Sequence, residues 1–405
     1  MRMGKIKTVI LIGDGMGDLP IAELGGLTPL EYVDTPAMDF VAKNGELALL
    51  KTVPDGYPPG SDVANLSLLG YRPEEFYTGR SPLEAASMGV DLAPEDMAFR
   101  CNLVTLDRND DGRVIMVDYS AGHISTPEAH ELIGALAAQL NDANLRFHPG
   151  VSYRHLLVVK DSPENYEAPP PHDHTGQDVS ETWNSMLNTA LLGKLIGKAC
   201  DILANHEVNR QRLKSGKKPA NAIWLWGQGR APAMPTLQER YGVRGSLISA
   251  VDLLKGIGVY AGLKIVNVDG ATGYIDTNYA GKVAAALKCA AADDLVVVHV
   301  EAPDEAGHQG SRENKLKAIG DFDSKVVKPV LDGLKQGPPF RLVVAMDHFT
   351  PLCIMTHDSM PVPIAIYDSE RPDLASGLAY NEQNAIKSGL LYPDGQDFFN
   401  RLMGE

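Results

Sequence analysis

The chain has 405 residues, too many for one ordinary hydrophobic core, so two domains are expected. Its 37 Lys and Arg against 52 Asp and Glu give a net charge of −15, which argues against a general nucleic-acid-binding protein because such a protein needs a basic face. Four widely separated cysteines without a CxxC pair are typical of reduced thiols, not of a disulfide framework. No apolar run approaches the roughly 18 residues of a transmembrane helix. The N-terminal run of about five apolar residues is also too short for a signal peptide, so a cytoplasmic protein is expected.

The first elements precede a change of texture near Met88. A strand over 8–12 runs into a glycine-rich loop, and a helix over 36–43, a strand over 47–53 and a short helix from Ser61 to Gly70 follow. Beyond Met88, the predicted order is strand, strand, helix and strand over 98–105, 113–118, 128–140 and 153–160. A loop over 164–179, a helix over 181–208 and a polar hinge over 214–219 complete this part, which suits a small α+β module.

Strands and helices alternate in the remaining sequence. Strands are predicted over 222–226, 264–268, 295–300 and 341–345, and helices over 249–255, 279–291 and 314–334. This alternation predicts an α/β fold with a mostly parallel sheet sandwiched by helices. We therefore expect a discontinuous domain of residues 1–87 and 220–405, with a smaller α+β domain and its hinges inserted at 88–219.

The loop after the first strand, GDGMGD, invites a dinucleotide-binding interpretation. The G-x-G-x-x-G fingerprint fails because Asp18 occupies the third glycine position, and Asp14 would repel a pyrophosphate. The chain also lacks the G-x-x-x-x-G-K-[ST] pattern of a P-loop.

Aspartate and histidine residues instead follow the ends of apolar strands, where open α/β sheets bind ligands. The run 295–300 breaks at Pro303 into a predicted loop that presents carboxylate and imidazole groups, and the runs 8–12 and 341–345 lead into others. The residues concerned are Asp14, Asp304, His308, Asp347, His348 and His357. Three carboxylates and three imidazoles are enough for two divalent metals, and mixed oxygen and nitrogen ligands suit Mn²⁺ or Zn²⁺ better than Mg²⁺. Two such metals about 4 Å apart can clamp the attacking and leaving oxygens of a phosphoryl transfer.

Ser61 follows Gly60 and opens a helix, so it has two interpretations. Serine is a common N-cap residue, and this is the simpler one. In a two-metal site, serine at a helix N-terminus can also serve as a nucleophile. The two roles are compatible.

Seven ordered motifs spread over nearly the whole chain carry a resemblance to a known family. They are GDGMGD, PPGSDVANLSLLGY, GRSPLEAASMGVDL, AGHIST, GATGYIDTNYAGK, EAPDEAGH and MDHFTP with a later THD. Together they resemble cofactor-independent phosphoglycerate mutase in its archaeal-type branch, which belongs to the alkaline phosphatase superfamily.

The resemblance implies a metal-dependent glycolytic isomerase with an alkaline phosphatase-like fold. It implies that Asp304, His308 and His357 hold one metal. The other is then held by Asp14, Asp347, His348 and the nucleophile Ser61. Phosphate would pass from 3-phosphoglycerate to Ser61 and return to the 2-hydroxyl of the glycerate. The implied cofactors are two divalent ions, with Mn²⁺ preferred and Zn²⁺, Co²⁺ or Mg²⁺ as alternatives.

By motif position, the resemblance also implies substrate-binding residues. His123, Arg154 and His172 lie in the inserted domain, and Lys255 matches a lysine that faces the phosphate. The implied partner is a small phosphorylated substrate, with no nucleic acid and no membrane, and the sequence does not indicate an oligomeric state.

Three departures from the family pattern alter the substrate-binding set. Trp226-Gly227 stands where archaeal-type members usually have Arg-Gly, and Arg230 is a possible substitute. His123 replaces a common arginine, and Met346 to Phe349 replaces Gly-Asp-His-Ser. These departures resemble a side branch proposed to act as homoserine kinase, so a phosphotransferase of that kind and a phosphatase of the superfamily stay open as alternatives.

Overall fold

The structure is a computed structural model that describes residues 6–162 and 168–404. Its strands, in chain order, are β1 Lys7–Gly13, β2 Glu46–Leu50, β3 Met97–Arg108, β4 Val114–Asp118, β5 Leu145–His148, β6 Arg154–Val159, β7 Ala222–Arg230, β8 Gly245–Ile248, β9 Lys264–Ile265, β10 Leu295–Val300, β11 Phe340–Ala345, β12 Val362–Asp368 and β13 Leu391–Tyr392.

The first helices are α1 Pro29–Tyr32, α2 Pro36–Lys43, α3 Ser61–Leu68, α4 Pro73–Phe76, α5 Arg80–Ser87, α6 Thr126–Leu140, α7 Ser180–Leu187, α8 Leu192–Ala204 and α9 Glu207–Lys214. The later helices are α10 Leu237–Tyr241, α11 Asp252–Tyr260, α12 Tyr279–Ala290, α13 Ala302–His308, α14 Arg312–Phe322, α15 Lys328–Leu334, α16 Glu382–Ser388 and α17 Gly395–Met403. A π-helical turn over Asp323–Val327 joins α14 to α15.

The chain divides into two compact units. The larger unit contains residues 1–77 and 234–405, and the smaller unit contains residues 78–233. The predicted boundaries, after residue 87 and before residue 220, differ from this division. The difference arises because β7 pairs antiparallel with β3 along most of its length and α5 packs against both strands. Because these strands are so far apart in sequence, no pattern in the residues near the boundary predicts that they pair.

The larger unit is built on a sheet with the order β13-β2-β12-β11-β1-β10-β8-β9. Strands β11, β1, β10, β8 and β9 run parallel to one another, while β12 is antiparallel to both β11 and β2. Helices flank this sheet, so the predicted α/β class with a mostly parallel sheet is confirmed. Strand β10 is buried at every position, as expected for a parallel strand covered on both faces.

The smaller unit contains an antiparallel sheet ordered β4-β3-β6-β5, with β7 also paired to β3. Its core joins this sheet to α6, α7 and α8 through large buried side chains such as Trp183 and Trp224. The single helix predicted over 181–208 is three helices here, α7, α8 and α9. Part of the loop predicted over 164–179 lies outside the described residues.

Other predicted elements of the larger unit shift at their ends. The helix expected over 249–255 begins at Asp252 and continues through Gly256 to Tyr260, because a helix interior tolerates glycine at a modest cost. Strands β8 and β12 are absent from the prediction. In the described part of the chain, no helix is long and apolar enough to cross a membrane.

Candidate metal centre

Three neighbouring parallel strands bring the predicted ligands to one edge of the larger unit's sheet. Strand β1 lies between β10 and β11, with Gly13 opposite Val300 and Ile12 opposite Ala345. The strands therefore end at the same level, and the segments that follow them carry Asp14, Asp304 and Asp347. This is the carboxyl edge, where open parallel sheets bind ligands.

Asp304, His308 and His357 form the first group of converging side chains. The Nε2 atom of His308 lies 3.2 Å from Oδ2 of Asp304, and Nε2 of His357 lies 3.5 Å from Oδ1. The two imidazole Nε2 atoms are 2.9 Å apart. Backbone carbonyls lie near both opposite ring nitrogens, Met355 O near Nδ1 of His308 and Pro59 O near Nδ1 of His357. Such contacts fix which nitrogen faces a ligand.

The loop predicted after Pro303 is wrong, because residues 302–308 form helix α13. Proline is compatible with the first turn of a helix, where its missing N–H has no intrahelical partner. The helix places Asp304 and His308 four residues apart on one face. The spacing of these two residues is thus helical spacing.

Asp14, Asp347, His348 and Ser61 form the adjoining group. The Nε2 atom of His348 lies 3.6 Å from Oδ1 of Asp14, 3.4 Å from Oδ2 of Asp347 and 3.1 Å from Oγ of Ser61. His348 also belongs to a set with Asp304 and His357 whose ligand atoms all lie within 4.8 Å of one another. The two groups are therefore contiguous.

Ser61 is the first residue of α3, and Gly60 occupies the N-cap position without a side-chain cap. The expected N-cap role of Ser61 is therefore wrong. Its hydroxyl group instead faces His348. The N-cap interpretation failed because the helix begins one residue earlier than the serine pattern suggests, a shift within the usual uncertainty of helix ends.

The electrostatics of the cluster suit the binding of cations. Burial, together with the negative charges of Asp347 and Asp304, raises the pKa of Asp14 well above its ordinary value. Its Oδ1 atom is buried without a hydrogen-bond partner among the described groups. Burial alone would also raise the pKa of Asp304, but hydrogen bonds from His308 and His357 hold it well below its ordinary value. Clustered carboxylates, an orphaned buried oxygen and converging imidazoles are a donor set suited to divalent metal ions.

Several residues that the motif-based assignment omits hold these side chains in place. The Nε2 atom of His299 is 2.9 Å from Oδ2 of Asp14, and Nδ2 of Asn65 donates to Oδ2 of Asp347 at 2.9 Å. Thr350 donates from Oγ1 to Oδ1 of Asp304 at 2.5 Å. A histidine inside the apolar run of β10 is a signal that could have identified His299, since a buried polar side chain needs a partner. The other two carry no such signal.

Asp14, His299 and Glu301 also have ligand atoms within 4.8 Å of one another. Lys282 lies beside them, and its ammonium group donates to the carbonyl oxygen of His299 at 2.9 Å. Burial lowers the pKa of Lys282 to about 8, and the charge of Glu301 counteracts this. These groups surround the back of the Asp14 carboxylate.

Gly15 is required by the close approach of the surrounding loops. Its backbone is left-handed at φ +60, and an added Cβ atom would lie 2.5 Å from Oγ1 of Thr350 and 2.7 Å from Oδ1 of Asp304. Glycine adopts this conformation without steric cost. The glycine-rich motif therefore serves close packing around the carboxylates, not a pyrophosphate.

Three of the predicted substrate-binding residues lie together in the smaller unit. The ring of Tyr119 is 6.2 Å from that of His123, 6.1 Å from that of His172 and 5.4 Å from that of Tyr153, all edge to face. The guanidinium group of Arg154 lies 5.7 Å from the centre of the Tyr153 ring. This aromatic cluster, Tyr119, His123, Tyr153 and His172, is half-buried to exposed.

Arg230 does not join this cluster. It pairs with Met97 at one end of β3, whereas Arg154 pairs with Asn102, five positions along the strand. Its guanidinium group donates to the carbonyl oxygens of Glu95 and Ser162. Lys255, in the larger unit, pairs with Asp252 at 3.2 Å.

The segment that carries His123 is conformationally strained. Ala121, Gly122 and His123 are consecutive left-handed residues, with φ values of 50, 68 and 49. Arg212 donates from Nη2 to the carbonyl oxygen of Ala121, and Ser120 accepts from the backbone N–H of His123. Non-glycine residues in this region cost about 1–3 kcal/mol each and persist where surrounding contacts fix them, commonly at functional sites.

Known proteins similar to this chain share both its sequence and its fold. The sequence profile of the 2,3-bisphosphoglycerate-independent phosphoglycerate mutase family matches residues 42–209. A 2,3-bisphosphoglycerate-independent phosphoglycerate mutase from Methanosarcina barkeri is 52% identical over 400 residues, covering 98% of this chain and 99% of the relative.

Two solved structures are similar over nearly the full length. A protein from Pyrococcus horikoshii superposes with a TM-score of 0.81 at 31% identity, covering 99% of this chain and 98% of that one. The cofactor-independent phosphoglycerate mutase from Thermoplasma acidophilum superposes with a TM-score of 0.63 at 26% identity, covering 98% and 99%. The expected resemblance is confirmed, and the chain belongs to the 2,3-bisphosphoglycerate-independent phosphoglycerate mutase family.

Proposed function

We propose that this protein interconverts 3-phosphoglycerate and 2-phosphoglycerate without 2,3-bisphosphoglycerate, through a phosphoserine at Ser61. The observation that carries the proposal is the position of Ser61, whose Oγ lies 3.1 Å from His348 in a cluster of buried carboxylates and imidazoles. Full-length similarity to phosphoglycerate mutases supports the same reaction.

Two divalent metal ions complete the proposed site, and Mn²⁺ is our choice because the donors mix oxygen and imidazole nitrogen. Asp304, His308 and His357 would hold one ion. The other would take Asp14, Asp347, His348 and Ser61. When bound, such ions lower the pKa of a coordinated hydroxyl group and neutralise phosphoryl oxygens.

In the proposed reaction, Ser61 attacks the phosphorus of 3-phosphoglycerate. The new bond joins Oγ to phosphorus while the bond from phosphorus to the 3-oxygen breaks, and the proton lost from Oγ passes to that oxygen, which leaves glycerate. Ser61 opens α3, so backbone N–H groups of the first turn face the incoming phosphoryl group without intrahelical partners. In the second step the 2-hydroxyl oxygen of glycerate attacks phosphorus, the bond from phosphorus to Oγ of Ser61 breaks, and the proton lost from the 2-hydroxyl group returns to Oγ.

The glycerate must stay bound while it turns its other hydroxyl group toward the phosphoserine. We assign this task to His123, Arg154 and His172, which line the aromatic cluster of the smaller unit. Lys255 remains a candidate for the phosphoryl group. Arg230 is not retained as a substrate ligand, because its guanidinium group is engaged by two carbonyl oxygens.

The test is a coupled assay that detects 2-phosphoglycerate formed from 3-phosphoglycerate, with Mn²⁺ and no bisphosphoglycerate. We expect activity in the wild type and in Ser324→Ala, a matched control at an exposed serine of the same unit, and none above the blank in Ser61→Ala. Wild-type activity equal to the blank would refute the mutase assignment. Release of inorganic phosphate would then indicate a phosphatase, and nucleotide-dependent phosphorylation of homoserine would indicate the kinase alternative. Full activity in Ser61→Ala would refute the serine mechanism alone.

A further inference from the structure

Arg100 projects from the middle of β3 in the smaller unit and is not explained by the motif pattern. Its side chain is only 8% exposed, and its guanidinium carbon lies 4.2 Å from the centre of the Trp226 ring. Glu84 provides an ion-pair partner, with Oε2 3.0 Å from Nε. Within residues 6–162 and 168–404, Nε of Arg100 is buried and lacks a hydrogen bond of good geometry, although Oε2 of Glu84 lies close to it. Buried polar nitrogens without partners are uncommon and indicate a ligand or water.

The sheet places Arg100 and Arg154 on the same face. Arg100 pairs with Trp226 and Asn102 pairs with Arg154 across antiparallel ladders, and side chains directly opposite each other share a face. Arg100 and Asn102 are two positions apart on one strand, so they also share that face. The indole N–H of Trp226 donates to Oδ1 of Asn102 at 3.2 Å, which ties the two pairs together.

This face continues into the aromatic cluster. The ring of His172 lies 5.8 Å from that of Trp226 and 6.1 Å from that of Tyr119. Gly227, left-handed at φ +58, lies beside Trp226, and an added Cβ atom would be 3.7 Å from Cδ of Arg100. The cations on this face are therefore set against flat rings, an arrangement that holds a guanidinium group in one orientation.

The local electrostatics favour an anion here. Burial lowers the pKa of Arg100 to about 10, the charge of Glu84 opposes this, and Arg154 lowers it further. A planar guanidinium group fixed by stacking can bind a carboxylate or phosphoryl group through two parallel hydrogen bonds.

We propose that Arg100, held on Trp226, forms with Arg154 a binding site for one anionic end of phosphoglycerate. The inference rests on the proposed function for the identity of the substrate. The chemistry recognised is that of a small oxyanion, and either the carboxylate or the phosphoryl group can supply it.

The first test compares kinetic constants for 3-phosphoglycerate. Arg100→Lys keeps the positive charge beside Glu84 but loses the planar guanidinium group and its stacking on Trp226. We expect KM to rise about 10- to 100-fold, because one or two charge-assisted hydrogen bonds to the substrate are lost. Arg146→Met is the matched control, since Arg146 is exposed on β5 of the same unit and pairs with Val158, four positions from Arg154 along β6. Its KM should equal that of the wild type.

A purely structural role for Arg100 would act through Glu84. Glu84→Gln breaks the ion pair and leaves Arg100 in place, so we expect loss of stability with KM within about twofold of the wild type. If Glu84→Gln raises KM as much as Arg100→Lys does, the ion pair and not anion binding is responsible, and the inference is overturned. An unchanged KM in Arg100→Lys overturns it as well.

The second test measures binding without turnover. The signal is tryptophan fluorescence. Trp183 and Trp224 stack on each other, whereas Trp226 lies against the guanidinium group of Arg100. Fluorescence quenching by a ligand that is lost in Trp226→Phe therefore reports on this site. We expect 3-phosphoglycerate to quench the wild type and to bind at least tenfold more weakly to Arg100→Lys. Quenching by inorganic phosphate alone would assign the site to the phosphoryl end, and quenching by glycerate alone would assign it to the carboxylate. No quenching by any of the three refutes the site.

The two tests separate this inference from the proposed function. A wild type without mutase activity whose Trp226 is still quenched by 3-phosphoglycerate in an Arg100-dependent manner would refute the mutase and support the anion site. Mutase activity in the wild type together with an unchanged KM in Arg100→Lys would support the proposed function and refute the anion site.

Discussion

Replacing Lys315 by Met should strongly destabilise the larger unit. Lys315 is fully buried in α14, and its ammonium group donates to the carbonyl oxygens of Gly17 at 3.0 Å and Thr350 at 2.7 Å and to Oδ2 of Asp18 at 2.8 Å. Removing one partner of a buried ion pair leaves the other charge uncompensated, which costs about 3–5 kcal/mol. Backbone N–H groups of Leu19 and Leu352 still donate to Asp18, so we expect about 3 kcal/mol. That is a large part of the roughly 5–15 kcal/mol that stabilises a typical domain.

The measurement is equilibrium urea unfolding followed by far-ultraviolet circular dichroism, with Lys317→Met as the control at an exposed lysine of the same helix. The double variant Lys315→Met with Asp18→Asn removes both charges and should recover at least 1 kcal/mol of the loss. A loss below about 1 kcal/mol in Lys315→Met would show that the buried pair contributes little net stability. A double variant no more stable than the single one would show that the uncompensated carboxylate is not the cause.

Three further predictions concern metal content, pH and strain. His308→Ala should bind about one metal ion where the wild type binds about two, measured by elemental analysis against His174→Ala, and full content in His308→Ala would contradict the ligand assignment. Burial raises the pKa of Glu382 to about 7 from its ordinary value of 4.5. The folded state then holds this proton more tightly than the unfolded chain does. The free energy of unfolding of the wild type, relative to Glu382→Gln, should therefore fall by a few kcal/mol as the pH rises from about 4.5 to about 7, measured in urea titrations. Parallel pH profiles of the two proteins would exclude this linkage. His123→Gly should be about 1 kcal/mol more stable than His123→Ala, since only glycine relieves the left-handed strain, and both should show a raised KM. Equal stabilities would mean that the backbone there is unstrained.

The parts of the site that sequence predicts are those with a local cause. Apolar runs identify β1, β10 and β11, and parallel strands must end at a common edge, so the side chains after them are expected to meet. The break of the apolar run at Pro303 predicts a loop, but this proline stands in the first turn of α13, where proline is tolerated. Ser61 could not be placed to one residue, because a glycine and a serine both serve as N-caps.

The parts that sequence misses depend on contacts between distant segments. Strand β7 follows the polar hinge and begins an alternating stretch, yet its partner is β3, more than one hundred residues earlier. Asn65 and Thr350 hold metal-site carboxylates by single hydrogen bonds, and neither has a pattern of its own. The contact between Trp226 and Arg100 likewise appears only when β3 and β7 are paired.

The distribution of buried charge supports the metal site independently of the motifs. Three carboxylates, those of Asp14, Asp304 and Asp347, are buried, and each has an oxygen within 4.8 Å of a ring nitrogen of His348. Two buried lysines lie nearby among the residues that the structure describes, but Lys282 donates to a backbone carbonyl and Lys315 is engaged by Asp18 and by carbonyl oxygens.

The histidines do not supply enough positive charge to compensate these carboxylates either. Burial lowers the pKa of His299 to about 3 and also lowers that of His348, which disfavours a positive charge on either ring. The hydrogen bond with Asp304 raises the pKa of His308 to about 9. The raised pKa of Asp14 reflects the same shortage of positive charge, since leaving charges buried and unbalanced costs several kcal/mol each. Bound divalent cations would supply positive charge to these carboxylates, so removing divalent metal with a chelator should lower the free energy of unfolding of the larger unit as well as the activity.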